Sequence, residues 1–533
     1  MSPAATDRAD TGPRKHVQGG DYDSTDKKCR STVLESRNCG GTHEPRLTSA
    51  SVSLPIPFGA VDPGVIAFLP PELASRAQFG WTISVHILFA ALSVGLAPFI
   101  VYFTWKSVRT DEQRYERLRS FWVKVFAAGF VMGTVTGIPM SFQFGTNFPQ
   151  FSEVAGELIG GPLAFEAKMA FFLEAVFLGV LLYGRERVGD RTYVLSSVLV
   201  GVGAWLSGFW ILVVNAWMQT PDGYEMVSRN GVEVARLTDP IAAFFTSRLP
   251  WMYFHTVNAA VIAVALLVAG VSAYIIWKKR DTPAWNTALK LAVVILLVSA
   301  PLQAMHGDAY GRHVEDTQPQ KFAAMEAHYE TGQADLHLLA FPTSLDALTD
   351  PRAENLVTVS LPGVGSFLAS GGDFDAEVLG LNEYAENPPV ALVFWSFRMM
   401  VGLGFLFIAL ALWGGYRMYR GRLADSDRYL KAMIFASPFG FAALLTGWYV
   451  TEIGRQPWVI QGELRTSEAV SSVLTGTEAT LTLVGFVVVY VGLVVTALYV
   501  LKWLIRGELQ ELGVRESGSD RWHGPLPGVS DDD

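Results

Sequence analysis

The stretch WMYFHTVNAAVIAVALLVAGVSAYIIWKKR, Trp251 to Arg280, decides the fold. It is apolar from Trp251 to Trp277 apart from a few small polar residues and one imidazole, His255, and it closes on Lys278, Lys279 and Arg280. A helix needs ~20 such residues to cross a ~30 Å hydrocarbon core, and only a helix pairs all its backbone N–H and C=O groups within one segment. The run therefore reads as a transmembrane helix, with the basic triplet marking its exit from the bilayer.

Working outward, the same pattern recurs over about 79–105, 121–145, 161–184, 194–218, 251–277, 286–305, 390–416, 430–451 and 477–504. The composition agrees: 50% of the 533 residues are hydrophobic, 12% aromatic and only 17% charged, the profile of a membrane protein rather than a soluble globule. The formal charge of −9 with scattered basic clusters excludes a nucleic-acid-binding stripe. Cys29 and Cys39 both lie in the polar amino-terminal segment, so there is no disulfide framework, no thiolate metal set and no C-x-x-C-H motif for covalent haem. The expected fold is an all-α integral membrane bundle of about nine transmembrane helices.

Loop charge gives the orientation. Lys106, Arg109, Arg114, Arg117 and Arg119 follow the first run, Arg185, Arg187 and Arg191 the third, Lys278 to Arg280 the fifth, and Arg417, Arg420, Arg422 and Arg428 the seventh. Cytoplasmic loops carry the excess of Lys and Arg, which places the N-terminus outside, the C-terminus in the cytoplasm and the long segment 306–389 between helices 6 and 7 on the outer face. The expected organisation is an extension over 1–70, disordered or an over-called translation start, then helices 1–6 within 71–305, the outer loop 306–389, helices 7–9 within 390–505 and a cytoplasmic tail over 506–533.

Polar residues inside the runs are costly and mark function. Of nine histidines, only His86 and His255 fall within the runs, both near the outer side. Each could simply hydrogen-bond a neighbouring helix, but two at one depth point to haem ligation. In FWSFRMMVGLGF, Met399 and Met400 would pass as packing without Arg398 beside them. A guanidinium near the outer boundary needs an anion, which haem propionates provide, and His with Met is an axial pair for a low-spin b haem. Glu166 and Glu174 lie eight residues apart, about two helical turns, in a column suited to a proton relay. An ion pair of Glu166 with Lys168 or Arg398 is the plainer alternative for one of them.

Five motifs in order resemble subunit I of cytochrome bd, the bacterial quinol oxidase: FQFGTN at Phe142–Asn147, GPLAFE with FFLE at Gly161–Glu166 and Phe171–Glu174, KFAAMEAHYET at Lys321–Thr331, FRMM at Phe397–Met400 and GRQPW at Gly454–Trp458. The resemblance spans about Pro71 to Leu504. It implies a quinol:oxygen oxidoreductase of the bacterial cytoplasmic (inner) membrane that takes electrons from quinol outside and protons for water formation from the cytoplasm, building proton motive force without pumping. It implies haem b558, haem b595 and haem d, or a further haem b in place of haem d. His255 and Met400 would ligate the low-spin haem, and His86 and Glu452 the two high-spin haems in an order left open. Arg398 and Arg455 would sit by propionates, with Trp448 between haems. Glu166 and Glu174 would form the proton route, and Lys321 and Glu326 the quinol site, for ubiquinol or menaquinol. The implied partners are subunit II of cytochrome bd, in a membrane heterodimer, and a small accessory single-span subunit.

On this reading GWYVTEIGRQPWVIQGE, Gly447–Glu463, is an outer corner where Arg455 offsets propionate charge one turn after Glu452, Pro457 ends the helix and tryptophans anchor the interface. Ser141 stands where relatives commonly carry Glu, and no long insertion follows the Lys/Glu segment. Two rivals remain. A transporter with intramembrane Glu, Lys and His predicts inverted repeats, which the sequence does not show, and a non-oxidase haem subunit would bind haem without turnover.

Overall fold

In the computed structural model, residues 69–280, 282–342 and 355–513 are described. Residues 1–68 of the expected extension and 514–533 of the expected tail therefore lie outside the described residues, while 506–511 belong to the last helix. Among the described residues, eight helices are long and apolar enough to cross a membrane. They are α1 (Pro71–Thr110), α2 (Gln113–Thr146), α5 (Asp190–Gln219), α6 (Leu249–Lys278), α7 (Pro283–Thr317), α9 (Val390–Tyr419), the α10–α11 pair (Asp427–Ala436, Phe439–Ile453) and α12 (Gly476–Glu511).

The third expected span, 161–184, is not one helix. α3 (Pro149–Phe165) passes into a π turn at Glu166–Ala170 and then α4 (Phe171–Tyr183). The reason lies across the interface, where a Cβ on Gly203 of α5 would stand 2.9 Å from the Glu174 backbone N and 3.1 Å from the Ala170 carbonyl. That close approach re-registers the turn, and π bulges of this kind recur at functional sites. Span 8 is likewise broken at Ser437–Pro438.

α6, the helix of the opening stretch, is the central one, touching α1, α5, α7, α10 and α11. With lipid as apolar as the side chains, such helices associate through close packing, which small residues permit. A Cβ on Gly95 of α1 would lie 2.3 Å from the Ala260 carbonyl oxygen, and one on Gly440 of α11 would lie 2.4 Å from Ala263 Cα. α12 packs at the periphery against α1 and α2.

The half of the bundle beside the basic loops is solidly filled, with Phe99, Phe103, Trp122, Phe126, Tyr193, Trp285 and Tyr429 in one core cluster. The other half is capped by short elements, so the bundle is not purely helical. β1 (Tyr224–Arg229) and β2 (Val232–Leu237) form a hairpin, and β3 (Leu336–Pro342) pairs antiparallel with β4 (Asn355–Leu361). The segment 306–389 begins as helix, because α7 continues to Thr317 before α8 (Pro319–Glu326) starts. α11 ends at Ile453, four residues before Pro457, so the proline does not terminate it.

Candidate functional site

A single cavity of about 1540 Å³ opens in the half of the bundle away from the basic loops. It exceeds the ~300–1,000 Å³ of an ordinary one-ligand pocket. Its wall includes His86, Glu166, Glu174, His255, Lys321, Glu326, Arg398, Met400, Trp448, Glu452 and Arg455, the full set of site residues expected from the sequence. Ser141 also borders it.

The two imidazoles are held differently. His86 Nδ1 lies 3.0 Å from Thr136 Oγ1, and that hydroxyl donates to the Met132 and Gly133 carbonyls. The threonine oxygen is then free to accept, which puts the ring proton on Nδ1 and leaves the Nε2 lone pair available. His255 sits on α6 with Nδ1 3.5 Å from Nδ1 of His306. Gln303 donates to the His255 carbonyl and accepts from Asn258, locking α6 to α7.

A glycine lies against each of His86, His255 and Met400. A Cβ on Gly137 would stand 2.9 Å from His86 Cε1, one on Gly307 3.3 Å from His255 Cε1, and one on Gly447 2.8 Å from Met400 Sδ. Met399 is 54% exposed on the outside of α9, so of the two methionines it is Met400 that faces the cavity.

Arg398 donates to the Glu326 carboxylate and the His337 carbonyl and lies over the Phe394 ring. Among the described residues its partner anion is therefore the Glu326 carboxylate. Glu452 accepts from Asn215 Nδ2 at 2.8 Å and from Arg455 and Gln219. Lys321, 2% exposed, donates to Gln219 and, at 2.7 Å, to Gln318 Oε1. Burial, with Arg248 and Arg455 nearby, pushes its ammonium well below the usual lysine range, and Glu452 opposes the shift. The eight residues of α8 thus carry Lys321 into the Glu452 group at one end and Glu326 to Arg398 at the other. Glu166 accepts from Ser207 at 3.0 Å, not from Lys168 or Arg398. Glu174 is 5% exposed, and its Oε1 has no hydrogen-bond partner.

Orphaned donors test whether haem fits. Arg248 and Arg455, both buried on the cavity wall, leave Nε and Nη1 without hydrogen-bond partners. Buried guanidinium groups call for anions with fork geometry, which propionates have. Among the described residues, no three His, Cys, Asp or Glu side chains come together for a bare metal ion, whereas haem brings its own equatorial nitrogens and asks the protein for axial ligands alone. The residues present fit the group.

Sequence reasoning missed several members. Arg248 stands just before the run 251–277 and was not singled out, although it precedes His255 by seven residues, two turns on one helix face. In the structure it lies over the Tyr310 ring with the centroid 4.9 Å away. His306 and His313 are not loop residues but lie on α7, where Trp251 packs against both rings. Asn215, Gln219 and Ser207 on α5 carry no motif signal. Their spacing of four and eight residues on one helix was the available clue.

Residues 74–509 match the family model described as cytochrome bd terminal oxidase subunit I. The chain is 34% identical over 428 residues to cytochrome bd ubiquinol oxidase subunit 1 of Bacillus subtilis (strain 168), covering 78% of this chain and 89% of the relative. It is 30% identical over 496 residues to cytochrome bd-II ubiquinol oxidase subunit 1 of Escherichia coli (strain K12), covering 80% and 95%. Among solved structures, the bd oxidase from Geobacillus thermodenitrificans superposes with a TM-score of 0.74 at 31% identity, over 82% of this chain and 98% of that one.

Proposed function

This chain belongs to the cytochrome bd terminal oxidase subunit I family, and from that premise we propose which residues hold its haems, where quinol is oxidised and how protons arrive. It is a multi-pass membrane protein and a haem-containing subunit of a terminal quinol oxidase, an oxidoreductase that works as a multi-subunit complex. The finer reading rests above all on one observation: a single cavity gathers two imidazoles, a thioether, a carboxylate and two half-satisfied guanidinium groups.

His255 and Met400 would hold low-spin haem b558, offering it an imidazole nitrogen and a thioether sulfur. His86 and Glu452 serve the two high-spin haems, haem b595 and haem d or a b haem in its place, in either order. Arg455 and Arg248 hold propionates, and Trp448 fills the space between haem sites. Haem, when bound, supplies the one-electron carriers and the iron at which dioxygen is reduced.

Quinol gives up two electrons and two protons beside α8. Lys321, its ammonium pushed down by burial, exchanges a proton readily and orients one quinol oxygen, while the Glu326 carboxylate offers a second acceptor. By the positive-inside rule this end faces outward across the bacterial cytoplasmic membrane. Protons for water formation come from the other side by way of Glu174 and Glu166, so charge separates without a pump. Subunit II of cytochrome bd is the expected partner chain.

Two outcomes check the reading. Lys321→Met and Glu326→Gln should each raise KM for quinol roughly tenfold or more, with the haem spectrum intact. Oxygen uptake against quinol concentration measures this, and unchanged KM in both variants removes the quinol site from α8. Arg248→Met should lower haem retention about 10–100-fold in affinity. Haem per chain by pyridine haemochrome measures that, and full occupancy in the variant would take Arg248 out of the site.

A further inference from the structure

The two faces of the β3–β4 hairpin are unlike. Leu336 pairs with Leu361, Leu339 with Val359 and Phe341 with Val357, while His337–Ser360 and Ala340–Thr358 alternate with them. A bulge at Leu338 keeps the first set on one face, which is therefore wholly apolar. That face is bare: Leu339, Phe341, Val357, Val359 and Leu361 are between 41% and 55% exposed. The other face meets the protein, where His337 Nδ1 lies 2.6 Å from Ser360 Oγ, Ala340 is buried and the His337 carbonyl accepts from Arg398. Apolar outward and polar inward is the reverse of a sheet in water. Neither strand contains Asp, Glu, Lys or Arg, the charges that keep exposed strands from pairing with other chains.

α9 fixes the depth of the hairpin. Counting ~20 residues, one ~30 Å crossing, back from Arg417 at the basic-loop end of α9 puts the opposite boundary near Phe397. Phe341 packs on Trp395 with ring centroids 5.3 Å apart, and Arg398 reaches the His337 carbonyl, so the hairpin lies at the plane of that boundary. Trp395, Met399 and Leu406 follow one another at spacings of four and seven residues, one face of α9, and Met399 and Leu406 are exposed. The apolar face of the hairpin thus continues an apolar stripe that descends into the bilayer.

We propose that the apolar face of β3–β4 is immersed in the outer leaflet, seated on the acyl chains of membrane phospholipids at the headgroup–acyl boundary. In a two-stranded sheet each strand keeps one backbone edge unpaired among the described residues, which bars the hairpin from deeper hydrocarbon. A face buried ~5–10 Å at the boundary leaves those edges to headgroups and water. At its other end the face reaches Leu336, which borders the cavity together with Glu326 and Arg398, so the lipid contact extends to the rim of the site. The inference needs only the membrane placement of α9 and not the quinol reading.

The test uses native membranes containing the whole complex. The photoreactive residue p-benzoylphenylalanine replaces Phe341, where it only extends an exposed ring, and in separate chains Val359 and Thr358. An intact haem spectrum shows that each chain has folded. Under near-ultraviolet light the ketone carbon bonds to a neighbouring carbon, whose hydrogen passes to the ketone oxygen, so an adduct has the summed mass of its parts. Mass spectrometry of the affinity-purified chain should find phospholipid adducts at positions 341 and 359, and at least roughly tenfold fewer at 358, on the opposite face. A cross-link to a polypeptide at both apolar positions overturns the proposal, as does the absence of any adduct there or an equal phospholipid yield at 358. Oxygen uptake is a separate readout, so a chain that forms the adducts yet fails to oxidise quinol would refute the functional reading and leave the immersed face standing.

Discussion

Met400→Leu should abolish the low-spin b signal in the reduced-minus-oxidised spectrum and lower quinol-driven oxygen uptake by at least roughly 100-fold. The leucine conserves most of the volume beside Gly447, where a Cβ would stand 2.8 Å from Met400 Sδ, so packing survives and only the sulfur donor is lost. With the thioether gone, His255 alone would hold the group, and the low-spin character and raised potential that Met with His supplies would be lost. Electrons from quinol then meet an unfavourable first acceptor. The neighbouring change Met399→Leu, on the exposed side of α9, should leave spectrum and turnover alone. A full low-spin signal in Met400→Leu would remove Met400 from the ligand set.

Glu174→Gln should lower turnover by about 10²–10⁴ while every haem band persists. The side chain is buried, with one carboxylate oxygen unpartnered, so the amide fits the same space but cannot carry a proton. Protons cannot cross a ~30 Å apolar slab without polar stations. Glu174 is a buried carboxylate beside the half of the bundle packed with Phe, Trp and Tyr. The π turn shifts Glu166 relative to Glu174 from the straight column expected of one continuous helix. Glu166 hydrogen-bonds Ser207, so Glu166→Gln should impair turnover and also perturb the high-spin bands. Oxygen uptake with excess quinol, recorded beside a spectrum, measures both. Normal turnover in Glu174→Gln would mean that the carboxylate is structural and that protons enter elsewhere.

Much of this was legible in the sequence because lipid imposes a simple rule on long segments: apolar runs and basic loops located the helices. Position inside apolar runs singled out His86 and His255, Arg398 drew attention to Met400, and the family resemblance pointed to Glu452. What escaped was set by packing and by distant partners. The π turn depends on Gly203 pressing against Ala170 and Glu174, which no local pattern in 161–184 announces. α7 runs past Met305 because helical hydrogen bonding continues after hydropathy stops, and so the span rule ended it before His306. The Arg398–Glu326 pair joins residues 72 apart, and charge alone could not choose between that carboxylate and a propionate. Arg248 was hidden by its place at the margin of α6, where an arginine usually meets headgroups.

The most direct measurement is the spectrum of the purified complex after anaerobic addition of quinol, followed by admission of air. The account predicts low-spin b bands together with high-spin haem bands, all reduced by quinol and reoxidised by oxygen. A complex without haem bands, or one whose haem quinol does not reduce, would contradict it.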